Sequence, residues 1–150
     1  MKMHPSRSWT SLISAAALAM AAVTGISACS STPPAASSGV AATGAHLSAT
    51  QFSTAMKSPG TVVLDVRTPA EFAAGHLPEA KNIDVEGSDF ASGIAALDKT
   101  ATYAVYCRSG NRSATAMEQM TAASFRHVYD LAGGIGAWQT MGGPMTMGNP

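Results

Sequence analysis

Val105-Tyr106-Cys107-Arg108-Ser109-Gly110-Asn111-Arg112-Ser113 decides how this chain is read. An apolar β-branched and aromatic run, Thr102 to Tyr106, ends at a thiol. Small residues and two arginines follow, and then Ser113 to Ala123, which the composition predicts to be a helix. A thiol is a nucleophile only as thiolate. Here it precedes a helix, whose first N–H groups have no partner within the helix and whose dipole end is positive. Arg108 and Arg112 add full charge, Gly110 permits the tight turn, and Ser109 and Asn111 tolerate it. Successive N–H groups facing inward form an anion nest, able to hold a thiolate, a persulfide or an oxyanion.

Working outward, Thr61 to Val66 is a second buried-strand candidate and His127 to Leu131 a third, with Ala80 to Ile83 and His46 to Ser48 weaker ones. Helices are expected between them. Thr50 or Ser48 caps the first, which carries Phe52, Ala55 and Met56. Thr68-Pro69-Ala70-Glu71 is a helix start with a cap, a proline and a first-turn carboxylate. Asp89 to Leu97 has Phe90, Ile94 and Leu97 at helical spacing, and Ile135 to Met141 is a short last helix with Trp138 facing inward. Strands alternating with helices give an α/β fold, one domain with a mainly parallel central sheet flanked by helices. In such sheets ligands sit beyond the carboxyl ends of the strands. Cys107 reaches that edge from one strand, and Asp65 to Arg67 reach it from another.

The chain has 150 residues, which favours a single domain. Residues 1–28 have the parts of an export signal: Lys2 and Arg7, an apolar stretch from Leu12 to Ile26, then small residues. The apolar stretch is short of the roughly 20 residues that a stable span needs. Ile26-Ser27-Ala28-Cys29 resembles a bacterial lipoprotein processing site, which makes Cys29 the expected lipidated first residue of the mature chain. Residues 29–44 are nearly all Ser, Thr, Pro, Ala and Gly and read as a tether. The folded domain is expected over 45–144 and a flexible tail over 145–150. These segments predict a chain anchored by lipid on the periplasmic or outer-surface side of a bacterial membrane.

Charge and cysteine usage exclude several classes. From Cys29 onward seven Lys and Arg face nine Asp and Glu, with no basic stripe to meet a nucleic acid. With Cys29 lipidated, Cys107 is a lone thiol and no disulfide scaffold exists. His46, His76 and His127 lack metal-ligand spacing, so no metal or other cofactor is expected. Gly133-Gly134-Ile135-Gly136 lacks the dinucleotide-binding spacing and reads as a tight turn. A cysteine phosphatase needs an arginine six positions after the thiol. Ser113 stands there, the arginine is at five, and Tyr106 rather than a histidine precedes the thiol.

Three blocks together resemble a rhodanese domain of the single-domain, exported kind. They are Leu64 to Phe72 with Gly75-His76-Leu77-Pro78 and Ala80 to Ile83; Tyr106 to Ala114; and Leu131 to Trp138. The resemblance implies that Cys107 carries sulfur and that Arg108, Ser109, Gly110, Asn111, Arg112 and Ser113 form its active-site loop. It implies a thiosulfate sulfurtransferase: Cys107 takes sulfur from thiosulfate or a similar small anion, becomes a persulfide, and passes the sulfur to cyanide or a thiol. A persulfide carrier serving another envelope protein and a non-catalytic interaction module are the alternatives. Arg112, more than Arg108, is expected to touch the donor. Asp65, Arg67 and Glu71 are expected to support the site from behind, Arg67 pairing with Glu71 and Asp65 accepting from nearby backbone or from Ser113. Glu79 and Ser124 stand where the family usually has glycine.

Overall fold

The computed structural model describes residues 41–148. Ten elements alternate: β1 (Ala45–Leu47), α1 (Ala49–Ala55), β2 (Thr61–Asp65), α2 (Pro69–Ala74), β3 (Lys81–Asn82), α3 (Phe90–Ala95), β4 (Thr102–Tyr106), α4 (Asn111–Ala122), β5 (His127–Leu131) and α5 (Gly134–Thr140). The strands form one parallel sheet in the order β1-β5-β4-β2-β3. The expected α/β architecture is therefore present. Among the described residues no helix is long and apolar enough to cross a membrane. The expected signal, Cys29 and most of the tether lie outside the described residues.

The apolar runs are explained by burial on both sheet faces. Side chains alternate along a strand. Leu64, Val66, Tyr103, Val105, Cys107 and Val128 pack with Phe90 and Ile94 of α3 and Ala116, Met117 and Met120 of α4. On the other face Val63, Ala104, Tyr106, Tyr129 and Leu131 pack with Phe52 of α1, Phe72 of α2 and Ile135 and Trp138 of α5. The register pairs Asp65 with Tyr106 and Val105 with Asp130, so the ends of β2, β4 and β5 share one sheet edge.

Helix starts follow two rules. Ser48 and Gln51 form a capping box on α1, and Thr68 and Glu71 form one on α2, with Pro69 in its first turn. The helices α4 and α5 have no side-chain cap. They begin after Gly110 and Gly133, both left-handed. That conformation lets the chain turn straight from the loop into the helix, which is why α4 starts at Asn111 and not at the expected Ser113. The third helix is shorter than the expected Asp89 to Leu97, and Asp89 makes no side-chain cap bond.

Residues 145–148, expected to be a loose tail, are held. His76 and Thr146 exchange backbone bonds of 2.9 and 2.8 Å, and Gly148 N–H reaches Ala73 O at 3.0 Å. Met145 packs against the second core face. The Trp138 indole N–H donates to Pro144 O at 2.9 Å and brings the chain back across α5.

Candidate active site around Cys107

Cys107 leaves β4 at the sheet edge with no exposed surface. Its Sγ accepts a hydrogen bond from the Gly110 N–H at 3.1 Å. Gly110 reaches this position with φ of 102°, in the left-handed region. One backbone donor of the expected nest thus points at the sulfur.

The loop is fixed from outside by the start of α5. Ile135 N–H donates to Cys107 O at 2.8 Å and Gly136 N–H to Arg108 O at 3.4 Å. Gly134 lies against the loop so closely that a Cβ there would fall 2.5 Å from Cys107 O and 2.5 Å from the Arg108 carbonyl carbon. The glycine run read as a tight turn is that, and it also forms the wall on which the thiol loop rests.

Arg112 is held by two carboxylates of the chain. Its Nη1 and Nη2 donate to Glu71 Oε2 and Oε1, each at 2.9 Å, and Nη1 also lies 3.1 Å from Glu86 Oε2. The hydrogen bonds from Arg112 lower Glu71 from an ordinary 4.5 to about 2, with the Thr68 cap assisting. Arg108 makes no ion pair among the described residues. It is exposed and lines a cleft of about 480 Å³ together with Arg67, Glu71, Ile135, Met145 and Met147. Ser109 and Asn111 are exposed at the loop rim, and Ser113 is buried.

The expected Arg67–Glu71 pair does not form. Asp65-Val66-Arg67 leaves β2 extended, which puts Asp65 and Arg67 on the same side. Arg67 Nε donates to both Asp65 oxygens at 2.9 and 3.0 Å, its Nη2 lies 2.5 Å from Oδ2, and its backbone N–H reaches Oδ1 at 2.9 Å. Nη2 also meets Gly75 O at 2.7 Å, and the guanidinium sits 5.6 Å from the Tyr106 ring centroid. Both charges are buried. Burial, with the Asp65 charge beside it, pushes the Tyr106 phenol well above its ordinary range, and its Oη accepts from Leu77 N–H at 3.0 Å. Asp65 thus accepts from the backbone of Arg67 as well as from its side chain, and does not bind Ser113.

Ser113 instead meets Asp130, at 2.8 Å from Oδ2. Sequence reasoning missed Asp130. The available signal was a carboxylate inside the buried run His127 to Leu131, directly before the glycine block. His76 is a packing residue, stacked on Phe72 with ring centroids 3.8 Å apart.

The chain matches the family model described as Rhodanese-like domain over residues 48–141. It is 38% identical over 87 residues to the thiosulfate sulfurtransferase GlpE of Pseudomonas fluorescens (strain SBW25), covering 57% of this chain and 77% of that protein. The corresponding protein of Pseudomonas entomophila (strain L48) is 35% identical over 97 residues, covering 63% of this chain and 86% of the relative. Among solved structures, a rhodanese-related protein from Thermoplasma volcanium superposes with a TM-score of 0.62 at 31% identity, covering 69% of this chain and 98% of that one. The rhodanese-like domain of an Anabaena protein gives 0.62 at 27% identity, over 68% and 78%. With a fold, a thiol loop and a glycine block of this arrangement, the chain belongs to the rhodanese-like domain family.

Proposed function

We propose that this protein is a sulfurtransferase that works through a Cys107 persulfide. The observation that carries the reading is the Gly110 N–H aimed at Cys107 Sγ at 3.1 Å, at the end of a buried strand and directly before α4. In the first half-reaction the Cys107 thiolate attacks the outer sulfur of thiosulfate. The donor's S–S bond breaks, sulfite leaves with the electron pair, and a new S–S bond forms on Cys107. In the second, cyanide or a thiol attacks the outer sulfur and the pair returns to Sγ. This is covalent catalysis, with ping-pong kinetics as its signature. Gly110 N–H stabilises charge on Sγ whenever that sulfur is the nucleophile or the leaving group. Arg108, the cation at the cleft without a carboxylate partner among the described residues, attracts the anionic donor.

The sequence upstream of the domain supports an exported, lipid-anchored protein, with Cys29 as the acylated residue and the periplasmic or outer-surface side of the membrane as its place. The two Pseudomonas relatives are named thiosulfate sulfurtransferases, which supports the same donor here. Intact mass of the full chain in detergent, after thiosulfate and then cyanide, tests the cycle. The expected result is a gain of one sulfur atom, lost on cyanide and absent in Cys107→Ala. No gain in reduced, folded protein would overturn the thiosulfate reading in favour of a carrier loaded by another envelope protein or a binding module.

A further inference from the structure

Asp130 is a buried carboxylate, 1% exposed, in a strand whose neighbours Val128, Tyr129 and Leu131 are also buried. Burying a charge is costly unless its oxygens are satisfied, and an apolar residue of similar size is often no less stable. Neither Lys nor Arg pairs with Asp130 among the described residues. Its two oxygens are used separately. Oδ1 accepts from Nδ1 of His46, a half-exposed β1 residue, at 2.7 Å, and Oδ2 accepts from the Ser113 hydroxyl at 2.8 Å.

Ser113 Oγ also lies 2.9 Å from Gly110 O. A serine hydroxyl has one proton, and Gly110 O already accepts from Ala114 N–H at 3.0 Å. The carbonyl has a second lone pair, so the one Ser113 proton is shared between Asp130 Oδ2 and Gly110 O. The two bonds pin Ser113 in the first turn of α4 and tie its hydroxyl to the Gly110 carbonyl. The same glycine's N–H faces Cys107 Sγ. A polar chain thus runs from His46 through Asp130 and Ser113 to the carbonyl of Gly110, the residue whose own N–H meets the sulfur.

We propose that Asp130 is a positioning residue for the Cys107 loop, acting through Ser113 to hold the Gly110 N–H on the sulfur. This rests on the reading of Cys107 as the sulfur-accepting nucleophile. The gain falls mainly on the second half-reaction, in which the bond from Sγ to the outer sulfur breaks and the electron pair collects on Sγ. A donor already in place needs no reorganisation as that charge develops.

The test uses Asp130→Val, Asp130→Asn, Ser113→Ala and the Val/Ala double variant of the full chain in detergent, with folding followed by thermal unfolding. Asp130→Val and Ser113→Ala should each lower kcat about tenfold, less than outright loss of an oxyanion-hole donor, while kcat/KM for the donor, which reports the first half-reaction alone, stays within about twofold and the donor KM falls with kcat. The double variant should be no worse than either single one, because both break one link. Asp130→Asn keeps an acceptor for Ser113 and should restore most of kcat. Alkylation of Cys107 by iodoacetamide should slow in the same order, and this arm needs no sulfur transfer. It therefore separates failure of the positioning role from failure of the sulfurtransferase reading. Unchanged kcat and alkylation in folded Ser113→Ala, or additive losses in the double variant, would overturn the proposal. An Asp130→Asn enzyme as slow as Ser113→Ala would overturn it too, and these two variants carry the test if the valine does not fold.

Discussion

Arg112 grips Glu71 through two parallel bonds of 2.9 Å, joining α4 to the first turn of α2, 41 residues away in sequence. A guanidinium held by a fork on one carboxylate and touching a second has little charge left for a ligand. Arg108, exposed and without an ion-pair partner among the described residues, has its charge intact. The two arginines should therefore fail differently. Arg108→Ala should raise the donor KM several-fold, about 1 kcal/mol of recruitment at the rim, with unchanged thermal stability, and the effect should shrink as salt rises. Arg112→Ala should lower stability more than donor affinity. Steady-state kinetics with thiosulfate at two ionic strengths, together with thermal unfolding, check both. Equal KM effects from the two variants would contradict this division.

The same pair gives an acid-side signature. Glu71 is held at about 2 by the Arg112 hydrogen bonds, against an ordinary 4.5. A depressed carboxylate binds its proton more tightly in the unfolded chain, so its contribution is complete above about pH 4.5 and is lost as pH falls toward 2. Glu71 is part-exposed, and solvent screening reduces the contribution to about 1 kcal/mol. Urea unfolding at steps between roughly pH 6 and pH 2.5 should show a steeper loss for the parent chain than for Glu71→Gln. The glutamine variant should be less stable at neutral pH, where the pair is intact in the parent, and the gap should close toward the acid end. Parallel curves would show that the pair adds nothing.

Gly134 and Gly133 provide a steric contrast. A Cβ at Gly134 meets loop backbone at 2.5 Å, where no flexible side-chain end can move aside, and its φ is +58°. At Gly133, with φ +75°, the contact is only the Ala137 Cβ at 3.0 Å. Gly134→Ala should cost about 3 kcal/mol from overpacking plus left-handed strain, and should displace the Cys107 and Arg108 carbonyls. Gly133→Ala should cost about 1 kcal/mol, mostly strain. Sulfur transfer should collapse in the first and persist in the second, as thermal unfolding and turnover on the same samples will show.

The parts legible in the sequence were those set by local chemistry. β2, β4 and β5 follow runs of β-branched and aromatic residues because both sheet faces are covered, and α2 follows its Thr68-Pro69-Ala70-Glu71 start. The position of Cys107 at a strand end before a helix follows from Gly110. Partner choice was not legible. Arg67 and Glu71 are at helical spacing, yet Arg67 lies in extended chain before the cap and turns to Asp65, while Glu71 finds Arg112 from across the fold. Ser113 likewise selects Asp130 over Asp65 because β5 and not β2 lies beneath it. Such choices depend on strand order, which the local pattern does not contain. The C-terminal strap was missed for the same reason: its bonds go to His76 and Ala73, and nothing in Met145-Thr146-Met147 announces them.

Glu79 and Ser124, which the sequence resemblance puts at glycine positions, are the two non-glycine residues with positive φ among the described residues, at 61° and 72°. A side chain in that region costs roughly 1–2 kcal/mol because Cβ crowds the following carbonyl. Glycine removes the clash but loses more entropy on folding, about 0.5–1 kcal/mol. Both residues are exposed, and neither is part of the Cys107 loop. Glu79→Gly and Ser124→Gly should therefore each raise stability by about 0.5–1 kcal/mol, which in a domain of this size is a few degrees in Tm. The two sites sit in separate turns, so the gains should add. Turnover by the double variant should match the parent. A lower Tm in either single variant would mean that the side chain makes a compensating contact worth more than the strain it bears.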